Sequence, residues 1–186
     1  MAARVLLGRP VWVPSPNFRQ GRRGGVRVLV IHTAESPESK GSAIGVARWL
    51  SRPTTRASAH YVLDGRHFLQ QVREADTAWA APGANHDGIQ IELAGRARQT
   101  PAEWADEESK LILDRCARLL ALLAHQRGIP LVHLTPRDLE DTSRKGVVGH
   151  ADVTAAFGRS THTDPGPGFP WASVLAAARR YRAGLS

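Results

Sequence analysis

Residues Gly149–Trp171 read GHADVTAAFGRSTHTDPGPGFPW, and the reading of the whole chain turns on this stretch. It sets His150, Asp152, His162 and Asp164 within fifteen positions and closes on Pro165, Gly166, Pro167, Gly168 and Pro170. Imidazole and carboxylate are the ligand types that suit zinc. A loop rich in proline and glycine gives up regular hydrogen bonding but follows a fixed path. A site needs that when its ligands must sit still outside a helix or strand. Taken alone, the stretch reads equally well as a surface loop carrying two histidines.

Two further stretches shift that balance. Val26–His32 reads VRVLVIH, a short apolar run ending in histidine, the pattern of a buried strand. Gly88–Glu92 reads GIQIE, a β-branched run ending in a carboxylate. Together they give an ordered set: His32, Glu92, His150, Asp164. With VIHTAE, SAHYVLD, GIQIELAG, GHADV and THTDPGPGFPW in that order, the chain resembles the zinc-dependent N-acetylmuramoyl-L-alanine amidases of the type 2 amidase family. That family also contains phage lysozyme-like endolysins and the peptidoglycan recognition proteins. The resemblance runs from about Val26 to Trp171; each piece is weak alone, and five in order are specific.

The resemblance implies an α/β fold, a mixed central β-sheet flanked by helices, with the site in a groove along one face. Carried over motif by motif, it implies zinc (Zn2+) held by His32, His150 and Asp164, with Glu92 as general base. It places His162 where many members carry lysine, facing the scissile carbonyl as an oxyanion donor. A reading in which His162 replaces His150 or Asp164 as a ligand stays open, and Asp152 is expected to orient a neighbour. The residue after Trp79 is often histidine in the family and is Ala80 here, so Trp79, Asn85 and His86 are expected to line the groove. His60 is expected beside the site, as a packing histidine and a candidate substrate contact. The implied substrate is bacterial peptidoglycan, cut at the amide between N-acetylmuramic acid and L-alanine. A phage endolysin or autolysin is the leading reading. A muropeptide-recycling amidase in the cytoplasm and a non-catalytic peptidoglycan-binding module are the alternatives.

Composition bounds these readings. A chain of 186 residues with 42% hydrophobic content suits one domain with a sizeable core. Residues 26–186 are expected to form that single catalytic domain, preceded by an irregular basic arm over 1–25. With one cysteine, Cys116, no intrachain disulfide can form. No stretch approaches a membrane span, and the N-terminus lacks an apolar region of signal-peptide length. Synthesis in the cytoplasm without a signal peptide, action on the cell wall after release, and a monomeric state are expected. The net charge of +8 comes mostly from arginine, with six arginines and no acid up to Arg27, and Arg179, Arg180 and Arg182 near the C-terminus. Such a balance favours a polyanion. Anionic cell-wall polymers fit the motif set. Nucleic acid does not, because no recognition motif accompanies the charge.

Between the motifs, Ser42–Ser51 has helical spacing and is ended by Pro53. Asp64-Gly65 predicts a hairpin turn between strands over 58–64 and 67–72. Thr100-Pro101-Ala102-Glu103 reads as a capping box opening a helix that runs to Gly128, with Leu111, Ile112, Cys116, Leu119, Leu120 and Leu123 facing the core. Residues 131–146 have no clear pattern, Val147-Val148 reads as a short strand, and 173–185 reads as a closing helix.

Overall fold

The structure, a computed structural model, describes residues 7–185. Its centre is a mixed six-stranded sheet in the order β1 (Val11–Trp12), β5 (Phe68–Gln70), β4 (Tyr61–Leu63), β7 (Gly88–Leu93), β3 (Val28–Thr33), β8 (Gly146–Gly149). The middle of it is β3, flanked by β7 and β8, with all three parallel. β4 runs parallel to β7 and turns back into β5, the hairpin expected at Asp64-Gly65. Every residue of β3 is buried. Strands covered on both faces are continuous apolar runs, which is why VLVIH was readable without alternation.

Side chains still alternate between the faces. Leu29, Ile31, Ile89, Ile91 and Val147 point into the main core, against α2 (Glu107–Arg127) and α5 (Trp171–Ala183). Val28, Val30 and Val148 point the other way, into a smaller cluster with Val153 and Phe157. That second face carries α1 (Ser42–Leu50), which packs Ala43, Ala47 and Leu50 on Val62 and Leu69, and α4 (His150–Phe157). A short helix α3 (Pro136–Glu140), capped by Thr135, fills the stretch that had no clear pattern. Because β3 and β7 are paired in register with His32 opposite Glu92, the two-residue period puts both side chains on the second face, at the carboxyl ends of parallel strands.

Three expectations need correcting. The Thr100 box exists, with Glu103 accepting from the Thr100 backbone at 2.7 Å, but it closes a single 3-10 turn over Glu103–Ala105. Asp106 then caps α2 by accepting from Ser109 N, so the helix begins at Glu107. Leu111 lies on the outer side of α2 and is 48% exposed, while Ile112, Cys116, Leu119, Leu120 and Leu123 are buried as expected. The segment before residue 25, expected to be irregular, is laid against the domain as far as it is described. β1 (Val11–Trp12) pairs with β5 and β2 (Phe18–Arg19) pairs with β6 (Thr77–Ala78). Ser15 and Asn17 are buried, donating to the carbonyl of Leu50 at 2.7 and 3.0 Å and so closing the end of α1. Residues 1–6, including Arg4, lie outside the described residues.

Candidate active site

One ligand atom from each of His32, His150 and Asp164 lies within 4.8 Å of the others, and all three residues are buried. Each arrives from a different element. His32 stands near the end of β3. His150 opens α4 directly after β8, whose Gly149 is the register partner of Ile31. Asp164 sits in the proline-glycine loop, whose backbone is held at both sides. Ala151 N at the start of α4 donates to Asp164 O at 2.8 Å. Beyond it, Gly166 has φ +85, and a Cβ there would stand 1.8 Å from Ala97 O; a Cβ on Gly168 would stand 2.1 Å from Gln99 O. The glycines let this loop press onto the backbone at 97–99, which no side chain would permit. Asp152 orients rather than ligates: its Oδ2 accepts from Gly149 N at 2.7 Å and faces His133 Nε2 at 2.8 Å, fixing the strand-to-helix turn.

The donor set fits a divalent metal. A tetrahedral site with bonds of about 2.0–2.2 Å sets its ligand atoms ~3.4 Å apart. Here His32 Nδ1 lies 3.1 Å from Asp164 Oδ2, and His150 Nδ1 lies 3.4 Å from Asp164 Oδ1. Burial opposes charge on His32, but its hydrogen bond to Asp164 and the nearby Glu92 push the imidazole up to about 9. Burial would raise Asp164, yet His150 and His32 hold its carboxyl well below the usual carboxylate range. His150 is lowered, first by burial. Two imidazoles and an ionised carboxylate gathered this closely form a donor set that could hold a metal ion.

These residues open into a groove of about 780 Å³ whose lining includes Glu92, His162, Trp49, Trp79 and Arg98. Burial pushes Glu92 up to about 7, with Asp164 adding to the rise. Its Oε2 is buried with no hydrogen-bond partner among the described residues. A carboxylate oxygen left unpaired in a cleft is the kind of group that takes a proton from a reactant. Glu92 also borders a side pocket of about 330 Å³ between the 34–37 loop and α1. His162 lies flat on His150, with ring centres 4.4 Å apart, and its side chain is 65% exposed to the groove.

Three expected substrate contacts fall elsewhere. His60 is fully buried. Its Nδ1 accepts from Gln90 N at 2.9 Å and its Nε2 faces Asp76 O at 3.2 Å; burial and the adjacent Arg22 guanidinium push it down to about 3, so it stays neutral. Asn85 turns its Oδ1 to the backbone of Ala80 and Ala81, at 3.0 and 2.7 Å, and shapes the turn behind Trp79. His86 is at the opposite end of β7 from Glu92, 3.8 Å from Asp87. Sequence reasoning also passed over Glu35, which takes φ 51 and accepts from Ala97 N at 2.7 Å, bridging two rims of the groove. Nothing in the local sequence signals that role. Gln90 was passed over too, although it stands two positions before Glu92 and therefore on the same face.

Residues 21–167 match the family model described as N-acetylmuramoyl-L-alanine amidase. No curated protein sequence matches significantly. Among solved structures, the hydrolase AmiA of Staphylococcus aureus, in complex with its ligand, superposes with a TM-score of 0.69 at 13% identity, over 95% of this chain and 84% of that one. A selenomethionine derivative of AmpD gives 0.60 at 19% identity, over 92% and 95%. The endolysin N-acetylmuramoyl-L-alanine amidase LysCS of Clostridium intestinale gives 0.59 at 15%, over 93% and 97%. At such identities the likeness to these structures is one of fold, and it is the match across residues 21–167 that decides membership: the chain belongs to the N-acetylmuramoyl-L-alanine amidase family.

Proposed function

We propose that the chain is a zinc-dependent amidase that hydrolyses the bond between the lactyl group of N-acetylmuramic acid and the L-alanine of the stem peptide, working on cell walls as an endolysin or autolysin does. The observation that carries this reading is the pairing of a buried three-donor cluster with the unpartnered Glu92 oxygen in one open groove. His32, His150 and Asp164 would hold the metal. Zinc bound there supplies Lewis acidity, polarising the amide carbonyl and acidifying water to a pKa of about 7. Glu92 takes the proton from the attacking water and returns it to the nitrogen of L-alanine as that amine leaves. His162, exposed above His150, directs a ring N–H toward the oxygen on which negative charge develops. Trp79 and Trp49 give the groove flat apolar walls on which a glycopeptide can pack. With all three donors and Glu92 present, a binding module that has lost catalysis is the poorer reading.

The test is metal analysis with activity. One zinc per chain is expected, and a chelator should remove both zinc and turnover, with zinc restoring them. His32→Ala should fold without binding zinc. Full activity in a metal-free preparation ends the zinc reading.

A further inference from the structure

Gln90 is a fully buried polar side chain in the centre of the sheet, on the strand that carries Glu92 and on the same face. Burying an amide costs free energy unless both of its ends are paired. Here they are. The Gln90 Nε2 donates to Ala84 O at 3.0 Å, and the Oε1 lies 2.9 Å from His32 Nε2. A backbone carbonyl only accepts, so the amide must turn its NH2 to Ala84 and its oxygen to His32. An amide oxygen also only accepts. His32 must therefore carry a proton on Nε2, and its Nδ1, which faces Asp164, is the nitrogen left to bind a metal. The strand holds Gln90 in turn: its backbone N–H donates to His60 Nδ1 at 2.9 Å, and His60 N donates back to Gln90 O at 3.0 Å. His150 has no equivalent. Its Nε2 lies 3.2 Å from Ser160 Oγ, a hydroxyl that can donate or accept and so dictates no tautomer.

We propose that Gln90 is a positioning residue for the metal centre, fixing the tautomer and ring plane of His32 so that Nδ1 is presented to the ion together with His150 and Asp164. This rests on the zinc reading of the site. Groups hydrogen-bonded behind a metal-binding histidine orient it and raise its basicity, and their loss costs about 10–100-fold in metal affinity.

The experiment compares zinc affinity, by competition with a chromogenic chelator, in wild type, Gln90→Leu and Gln90→Glu, alongside thermal stability and ring-nitrogen NMR of the zinc-loaded wild type. Gln90→Leu fills the same space without an acceptor, and its zinc affinity should fall about 10–100-fold. Gln90→Glu keeps an oxygen against His32 Nε2–H and should bind zinc at least as tightly as wild type, although Ala84 O loses its donor. A merely structural glutamine would lower stability in both variants and affinity in neither. The NMR spectrum should show the His32 proton on Nε2, and this arm stands even if Gln90→Leu does not fold. Wild-type affinity in folded Gln90→Leu, or a His32 proton found on Nδ1, overturns the positioning role alone. A wild type that binds no zinc overturns the metal reading and this inference with it.

Discussion

At the scale of single residues, the site assigns different work to groups of the same kind. Glu92 and Asp164 are both carboxylates near His32. Two imidazoles hold Asp164 ionised, while burial raises Glu92 to about 7 and leaves one of its oxygens without a partner. On the proposed reading, carboxylates pushed apart in this way divide into a ligand and a proton carrier. Glu92→Gln should therefore keep one zinc per chain and lose roughly 10²–10⁴-fold in turnover, the contribution typical of general acid–base catalysis. Metal analysis beside steady-state kinetics checks it, and a variant that turns over like wild type leaves Glu92 with no chemical part. The histidines divide similarly. His32 and His150 converge on Asp164, His162 covers them from the solvent side, and His60 serves the sheet.

At the scale of elements, the ligand loop is the part built with least tolerance. Gly168 lies so close to Gln99 O that a Cβ would sit 2.1 Å from it, whereas Gly158, at the end of α4 with φ +61, has no atom within 4 Å of its Cβ position. Gly168→Ala must shift the loop, and should cost about 1–3 kcal/mol of stability together with much of the zinc affinity, because Asp164 moves with it. Gly158→Ala stores backbone strain of about 1–2 kcal/mol and should leave zinc binding intact. Denaturant unfolding and chelator competition on both variants separate displacement from strain; equal zinc affinities would show that the loop does not need its close seat. This contrast also explains what could be read from the sequence. β3 and β7 were legible because both faces are covered and their apolar runs are unbroken. The ligand loop was legible from composition, because its glycines and prolines are demanded locally. β1 and β2 were not, since two-residue strands have no period and take their order from partners far along the chain, such as Leu69 for Val11. The start of α2 was misplaced because Thr100 and Asp106 are both genuine caps, and only packing decides which of them opens the long helix. His60 takes the packing role that was one of its two readings, and the contact of its Nε2 with Arg22, 38 positions away, is not visible in the local sequence.

At the scale of the whole molecule, the basic arm and the catalytic domain are one structure. Arg22 donates to Glu74 O and Gly88 O, Arg27 pairs with Asp87 at 2.8 Å, and Arg179 and Arg182 donate to the carbonyls of Leu131 and Ile129. Cutting the chain at Gly24 would remove Ser15, Asn17 and Arg22 and disturb the fold. The charges free to meet a polymer are exposed ones such as Arg9, Arg23 and Arg180. If they hold the enzyme on anionic wall polymers, binding and lysis of intact walls should fall steeply with salt, because the Debye length shrinks from about 10 Å at 0.1 M to about 3 Å at 1 M. Cleavage of a short soluble muropeptide should barely change. Replacing Arg9, Arg23 and Arg180 by glutamine should weaken wall sedimentation and leave soluble turnover unchanged. Equal salt responses on the two substrates would make the arginines solubility charge and favour a recycling role. The proposed function rests on which bond is cut, and mass spectrometry of the products from one defined muropeptide measures that directly. The zinc-loaded protein should release a stem peptide with a free L-alanine amine and leave the lactyl carboxylate on an intact glycan; cleavage at a glycosidic bond or within the peptide would contradict the account.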